Sequence, residues 1–334
     1  MRLGRVATRL RWLATMLVLA LIAVALLRMD IGRAMTELGA VRVPWLVASL
    51  ACYVAILPLW AMQWQLLAPR DPQRRLSRML AVIAMTSTVL NTTPLLVGEV
   101  TGVVLLATLG GLSRAAAVSV LAMDQLLVGI AKLMVLATAA ALFTLPRWMS
   151  GAVLPLVVGV PALLVLLAVA AWRHADLARL TDRALSPRLR DGVGSIGVAL
   201  APLRSPTRGG SALALALAKK AAEIAAIACV QHAFGLSLPL SSAILVLACL
   251  NLATLVPVVP GNVGVYEAAV VVAYVWLGVT PERALGIAVV QHLCYFLALA
   301  LPGSWKVIRS GALTLSVPAP IGPIQPPRER DATS

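Results

Sequence analysis

Long apolar runs constrain this chain more than any other feature of its sequence. A membrane-spanning helix needs about 20 predominantly apolar residues, and the 334 residues here are 60% hydrophobic and only 12% charged. The sequence therefore predicts an all-α, polytopic integral membrane protein with about six full spans. We assign these spans to residues 13–28, 43–67, 115–145, 152–172, 211–233 and 284–306.

Two further apolar regions, residues 79–112 and 241–279, are each interrupted near the middle by proline and glycine. Their arms of about 15 residues are short for a full crossing and suit half-helices that enter the membrane and return. The short arms favour two opposed re-entrant hairpins. The flanking charges place both ends of each region on the same side of the membrane, which a pair of short spans would also satisfy. The residues that break the helices are Pro94, Gly98, Pro257, Pro260, Gly261 and Gly264.

The basic residues are distributed by topology. Twenty of the 28 Lys and Arg lie in segments that we place on one side of the membrane, and five lie on the other. Because cytoplasmic segments carry the excess of Lys and Arg, both termini and the loop 173–210 are predicted to be cytoplasmic. We expect a multi-pass protein of the bacterial cytoplasmic (inner) membrane.

The net charge of +15 does not indicate a nucleic-acid partner, because the basic residues are not interleaved with aromatic side chains, which make up only 4% of the chain. The cysteines all lie in apolar runs without a Cys-x-x-Cys pair, so we expect no disulfide and no thiolate metal site. The sequence contains no phosphate-cradling glycine loop or other enzyme signature, and we expect no metal and no cofactor. We assign residues 1–310 to one transmembrane domain and predict that the Pro-rich tail, 311–334, is disordered.

The two broken segments have the same order of residues, which is polar residues, then proline, then glycine, then a glutamate. This order favours a central polar site between opposed, interrupted helices. Glu267 has two interpretations, since it either contacts a substrate or proton, or complements the start of a helix. Glu99 follows the other break in the same way.

Ionisable groups inside the membrane cost a few kcal/mol each and are functional candidates by default. Asp124 and Lys132 are eight residues apart in one predicted helix, about 12 Å of rise, so each needs a partner elsewhere. Lys220 and Glu223 are spaced for a structural ion pair. Our candidate substrate-binding residues are Asn91, Glu99, Lys132, Asn262, Tyr266, Glu267 and His292.

Over about residues 10–310 the chain resembles the transmembrane, flippase-like domain of the lysylphosphatidylglycerol synthase family. The resemblance rests on Trp45 to Leu67, on the segment from Asn91 to Glu99, and above all on Pro257-x-x-Pro260-Gly261-x-x-Gly264-x-x-Glu267. It implies a helical domain with two re-entrant hairpins that moves a polar-headed lipid between leaflets.

The chain also departs from that family's pattern. Leu96 and Gly102 stand where the family commonly has arginines beside the Gly-Glu pair, so an anionic head group is in doubt. The soluble aminoacyl-transfer domain that would follow in a full synthase is not in the sequence, and we expect no synthase reaction from this chain alone.

The leading hypothesis is a lipid translocase, or flippase, whose substrate is a phospholipid, glycolipid or isoprenoid-type lipid. The main alternative is a non-transporting accessory subunit of a lipid-synthesising or glycolipid-synthesising enzyme, with the loop 173–208 as its binding surface. An intramembrane lipid-modifying enzyme and a small-solute transporter are two further alternatives. The oligomeric state, the direction of transport and its energy source stay open.

Overall fold

The structure, a computed structural model, describes residues 41–71, 73–93, 97–145, 147–159, 162, 206–255 and 259–310. Across these ranges the chain is helical and contains no strand. The predicted span 13–28, most of the span 152–172, most of the loop 173–210, the tail 311–334, and Pro94 and Pro257 lie outside the described residues.

The described residues form nine α-helices. In chain order these are α1 (Val43–Leu67), α2 (Leu76–Thr92), α3 (Val97–Thr108), α4 (Arg114–Leu142), α5 (Arg147–Leu154), α6 (Pro206–Ala233), α7 (Leu240–Ala253), α8 (Val265–Trp276) and α9 (Pro281–Ser310). A π-helical turn, Pro155–Gly159, continues α5, and a 3-10 turn, Pro260–Asn262, precedes α8.

Four long helices correspond to predicted spans, namely α1, α4, α6 and α9, with 25, 29, 28 and 30 residues. Three of them, α1, α4 and α9, are long and apolar enough to cross a membrane. Helix α6 is equally long, but every 18-residue stretch of it contains Lys219, Lys220 and Glu223. These charges face the interior of the bundle, as described below.

One end of the bundle collects basic side chains, and we call it the basic end. Arg208, at the start of α6, donates hydrogen bonds to the carbonyls of Leu66 and Ala68 at the end of α1. Arg74 donates to the carbonyl of Gly110, which joins the α1–α2 connection to the α3–α4 turn. The end of α9 also lies here, since Arg309 and Arg78 line one surface cleft.

The other end, which we call the opposite end, joins the remaining connections. The amide of Arg42 donates to the carbonyl of Ala233, and the indole of Trp276 donates to the carbonyl of Thr144. The start of α1, the end of α6 and the α8–α9 turn therefore meet at the end away from Arg74 and Arg208. The connections at the basic end belong to the group that the sequence analysis placed in the cytoplasm. The connections at the opposite end belong to the group that it placed on the other side of the membrane.

Two helical hairpins enter the bundle from these two ends. The first hairpin, α2 and α3, begins and ends at the basic end, and the second hairpin, α7 and α8, begins and ends at the opposite end. Their arms of 17, 12, 14 and 12 residues are shorter than the four long helices. Both breaks fall where the sequence predicted them, since α2 ends at Thr92 and α3 begins at Val97, and α7 ends at Ala253 and α8 begins at Val265.

Each hairpin has its own hydrophobic core. Trp64, Ile83 and Leu106 belong to a buried cluster that joins the first hairpin to α1. A second cluster joins α7 and α8 to α9, and includes Val246 and Ile287. The bundle therefore has two packed halves, and the hairpin tips meet between them.

The arms of the first hairpin approach very closely at Gly98. A Cβ atom there would lie 2.5 Å from Cδ2 of Leu90 and 2.7 Å from its Cα. Contacts this short do not occur between real atoms, so the position requires glycine. Gly98 thus fixes how tightly α3 folds back on α2.

Candidate functional site

The tips of the two hairpins touch each other near the middle of the long helices. A Cβ atom on Gly261, in the 3-10 turn of the second hairpin, would lie 3.0 Å from the carbonyl oxygen of Asn91 in the first. Gly261 has φ 62° and Asn262 has φ 53°, in the left-handed region that glycine and asparagine tolerate best. The Pro-Gly-Asn sequence is therefore a tight turn that lets one tip approach the other.

A polar cavity of about 280 Å³ lies beside this contact. Its lining comes from both hairpins and from α1, α4, α6 and α9. Six charged side chains face it, three acidic and three basic, namely Glu99, Asp124, Glu223, Lys132, Lys219 and Lys220. Charge inside an otherwise apolar bundle is costly unless it is paired or has a ligand or water as partner.

Two ion pairs, one buried and one partly buried, account for four of these charges. Lys219 Nζ lies 3.4 Å from Asp124 Oδ1, and the indole of Trp60 donates to Asp124 Oδ2 at 3.1 Å. Lys220 Nζ lies 2.8 Å from Glu223 Oε2. The predicted Lys220–Glu223 pair is present, and Asp124 finds its partners on α6 and α1, as its distance from Lys132 required.

Lys132 and Glu99 are the two remaining charged groups. Neither forms an ion pair with another residue in the described part of the chain. Oε2 of Glu99 is buried and has no hydrogen-bond partner within the same residues. Nδ2 of Asn251 and Oδ1 of Asn262 are buried without a partner in the same way, and both residues line the cavity. The cavity thus offers one cation, one carboxylate and amide groups to a polar ligand.

Glu267 has a different environment from Glu99. Its Oε2 accepts a hydrogen bond from the amide of Gly264 at 2.6 Å, which caps the first turn of α8. Its Oε1 lies 2.7 Å from Nδ1 of His292. Both carboxylate oxygens of Glu267 therefore have protein partners.

Tyr266 lies between this pair and the cavity. Its ring stacks on His292 with centroids 4.2 Å apart, and its hydroxyl accepts a hydrogen bond from the amide of Gln291 at 2.9 Å. Tyr266 lines the cavity, whereas Glu267, His292 and Gln291 are not part of its lining. The α8–α9 contacts hold Tyr266 in place as one wall.

The structure brings five of the seven predicted site residues to the cavity, which are Asn91, Glu99, Lys132, Asn262 and Tyr266. Glu267 and His292 lie behind Tyr266, and their contact with substrate stays a prediction. The sequence analysis did not select Trp60 or Asn251, although both line the cavity. A polar residue in the apolar arm 240–253 was an available signal for Asn251, but no sequence pattern marks Trp60.

Fold and site together define a class, that of polytopic α-helical membrane proteins with two opposed hairpins around a polar cavity. The family model described as the lysylphosphatidylglycerol synthase transmembrane region matches residues 11–303. The chain therefore belongs to this family, as the motifs around Gly98 and Pro260 predicted. Comparisons with curated proteins and with solved structures give no significant match.

Proposed function

We propose that this protein is a lipid translocase that moves a polar-headed lipid between the leaflets of the membrane. The main support is the cavity, which places charged and amide groups between two hairpin tips at the middle of the bundle. Family membership indicates a membrane function related to lipids. A transport role needs no bond to be made or broken, and the proposal includes neither a synthase reaction nor a cofactor.

The size of the cavity favours a head group as its occupant. Sites that enclose a small molecule usually measure about 300–1,000 Å³, so a cavity of about 280 Å³ suits a head group without its hydrocarbon chains. Lys132 offers a contact for a phosphate or another acceptor. Glu99 offers a contact for an ammonium or hydroxyl group.

We further propose that the two hairpins are re-entrant and enter the membrane from opposite faces. Their arms are short, and their tips line the cavity together with residues near the middle of α4 and α6, such as Val128 and Lys219. The basic end would face the cytoplasm, since Arg70, Arg74, Arg78 and Arg208 gather there. With this orientation the chain is a multi-pass protein of the bacterial inner membrane with both termini in the cytoplasm.

A reconstituted assay tests the proposed function. Purified protein is placed in vesicles with phosphatidylglycerol or phosphatidylethanolamine that bears an NBD group on one acyl chain, and external dithionite reports how fast inner-leaflet lipid becomes accessible. We expect the unmodified protein to accelerate exposure of at least one of these lipids. Lys132→Gln should reduce the rate by about tenfold, or ~1.4 kcal/mol, whereas Lys306→Gln, outside the cavity, should leave it unchanged.

The same assay distinguishes the accessory-subunit alternative. No acceleration by the unmodified protein with either lipid, together with co-purification of a lipid-synthesising enzyme, would replace transport with a scaffolding role. Equal rates for the Lys132→Gln and unmodified proteins would keep transport but remove Lys132 from the pathway.

A further inference from the structure

A second, apolar pocket adjoins the polar cavity between α4 and α7. It measures about 140 Å³ and is lined by Gly129, Leu133, Leu136, Leu252 and Leu255, with Leu156 of the π-helical turn. Lys132 and Asn251 line both pockets. The two spaces therefore meet at these two side chains, and the lining changes there from charged to hydrocarbon.

We propose that this pocket, the α4–α7 slot, holds the first few methylenes of one hydrocarbon chain of the lipid whose head group occupies the polar cavity. The inference rests on the proposed function and extends it, because it states where the chain lies during transfer. A polar cavity of about 280 Å³ leaves no room for the chains of a lipid. Exposing a hydrocarbon chain to water would cost about 0.8 kcal/mol for each methylene, so the part of the chain next to the head group needs an apolar space that adjoins the polar cavity.

Lys132 and Asn251 lie at the junction of head group and chain in this arrangement. Lys132 lines both spaces, and long basic side chains commonly cover apolar surface with their stem while the ammonium group stays at a polar boundary. Asn251 is 7% exposed, and its Nδ2 has no partner among the described residues. Both side chains suit a phosphate or ester group at the point where a lipid changes from polar to apolar.

Gly129 provides a direct way to fill the slot. A Cβ atom at Gly129 would meet no atom within 4 Å, so added side-chain atoms begin in open space at a residue that lines the slot. Gly210 in α6 has the same open surroundings and does not line the slot. Gly129→Leu and Gly210→Leu are therefore a matched pair, because each replaces a helical glycine by the same residue.

The test compares these variants in two measurements, lipid retention by native mass spectrometry and NBD-lipid redistribution in vesicles. We expect Gly129→Leu to retain less lipid than the unmodified protein and to redistribute lipid at least about tenfold more slowly, or ~1.4 kcal/mol of barrier, because the leucine side chain occupies space that the lipid chain would use. Gly210→Leu should match the unmodified protein in both. Leu255→Trp, at the 52% exposed rim of the slot, is a second variant if Gly129→Leu fails to fold.

The outcomes separate the slot from the proposed function. The slot would be overturned if Gly129→Leu folds as stably as Gly210→Leu and both lipid retention and redistribution are unchanged. The translocase proposal would then still stand. An unmodified protein that retains no lipid and redistributes none would overturn both. If both leucine variants lose lipid retention equally, the loss does not depend on the slot, and this result would also overturn the slot.

Discussion

The two hairpins place a glutamate at the same position after the helix break, but the two carboxylates have different partners. Glu99 in the first hairpin faces the cavity, and its Oε2 has no partner among the described residues. Glu267 in the second hairpin is held by the amide of Gly264 and by His292, and lies outside the cavity lining. Similar motifs thus supply a free carboxylate on one side and a structural cap on the other.

The difference has a physical cause in the two tips. The second tip is a turn with three residues of positive φ, at Gly261, Asn262 and Gly264. Such a turn leaves the amides of α8 unpaired until a side chain caps them. Thr92 and Thr93 at the first tip donate to carbonyls of their own helix, as Thr254 does at the second, so these bonds are common to both tips. The difference is the cap: Glu267 accepts from the amide of Gly264, whereas Glu99 makes no such bond among the described residues and lines the cavity.

The largest expected effect is a loss of folding stability when a glycine at a closely packed hairpin tip is replaced by alanine. Gly98→Ala places Cβ 2.7 Å from the Cα of Leu90, a backbone atom that cannot rotate away, and should cost about 3 kcal/mol or more. Gly261→Ala meets the carbonyl of Asn91 at 3.0 Å with φ 62° and should cost about 1–2 kcal/mol. Thermal unfolding in detergent measures both.

Gly129→Ala is the control for this pair, because its surroundings are open. It should be neutral or slightly stabilising, since alanine is the better helix former by about 1 kcal/mol. If Gly98→Ala is as stable as Gly129→Ala, α2 and α3 do not pack as closely at Gly98 as the structure shows.

The second expected effect is on transport. Glu99→Gln keeps the shape of the side chain but removes the charge that faces the cavity, and we expect lipid redistribution to fall about tenfold, or ~1.4 kcal/mol of barrier. The melting temperature should change little, because no described residue loses an ion pair. An undiminished rate would remove the charge of Glu99 from the transport pathway.

The smallest expected effect is that of Glu267→Gln. Glutamine still accepts a hydrogen bond from Gly264 but loses the charge that faces His292 and the start of α8, so we expect about 1 kcal/mol of lost stability. Redistribution should stay within about threefold, under 0.7 kcal/mol of barrier. If Glu267→Gln abolishes redistribution while remaining well folded, the roles assigned to the two glutamates must be exchanged.

Sequence reasoning was most successful where one strong physical constraint acts. Apolar length predicted α1 with the bounds found, and α4, α6 and α9 within a few residues. Proline and glycine predicted both breaks. The spacing of Lys220 and Glu223 predicted their ion pair. The family resemblance is confirmed by a match over residues 11–303.

The contacts between distant segments could not be predicted in the same way. Lys219 is four residues before Glu223, but it pairs with Asp124, which is 95 residues away in the chain. The capping of Gly264 by Glu267 was one of two interpretations, and the turn geometry that allows the cap is not readable from the sequence. A contact of Glu267 with substrate stays a prediction. A residue such as Trp60 joins the site because α1 packs beside α4 and α6, and a single sequence contains no signal for that packing.

The most direct test of the account is to modify the hairpin tips with a water-soluble thiol reagent during transport. Cys52, Cys229, Cys249 and Cys294 are first replaced, and a single cysteine is placed at Asn91, at Asn262 or, as a lipid-facing control, at Leu293, which is 53% exposed. The account predicts that a charged methanethiosulfonate reacts at both tips and stops lipid redistribution, while the control neither reacts nor changes the rate. Tips that do not react, or redistribution that continues after complete modification, would contradict a polar transport cavity between the two hairpins.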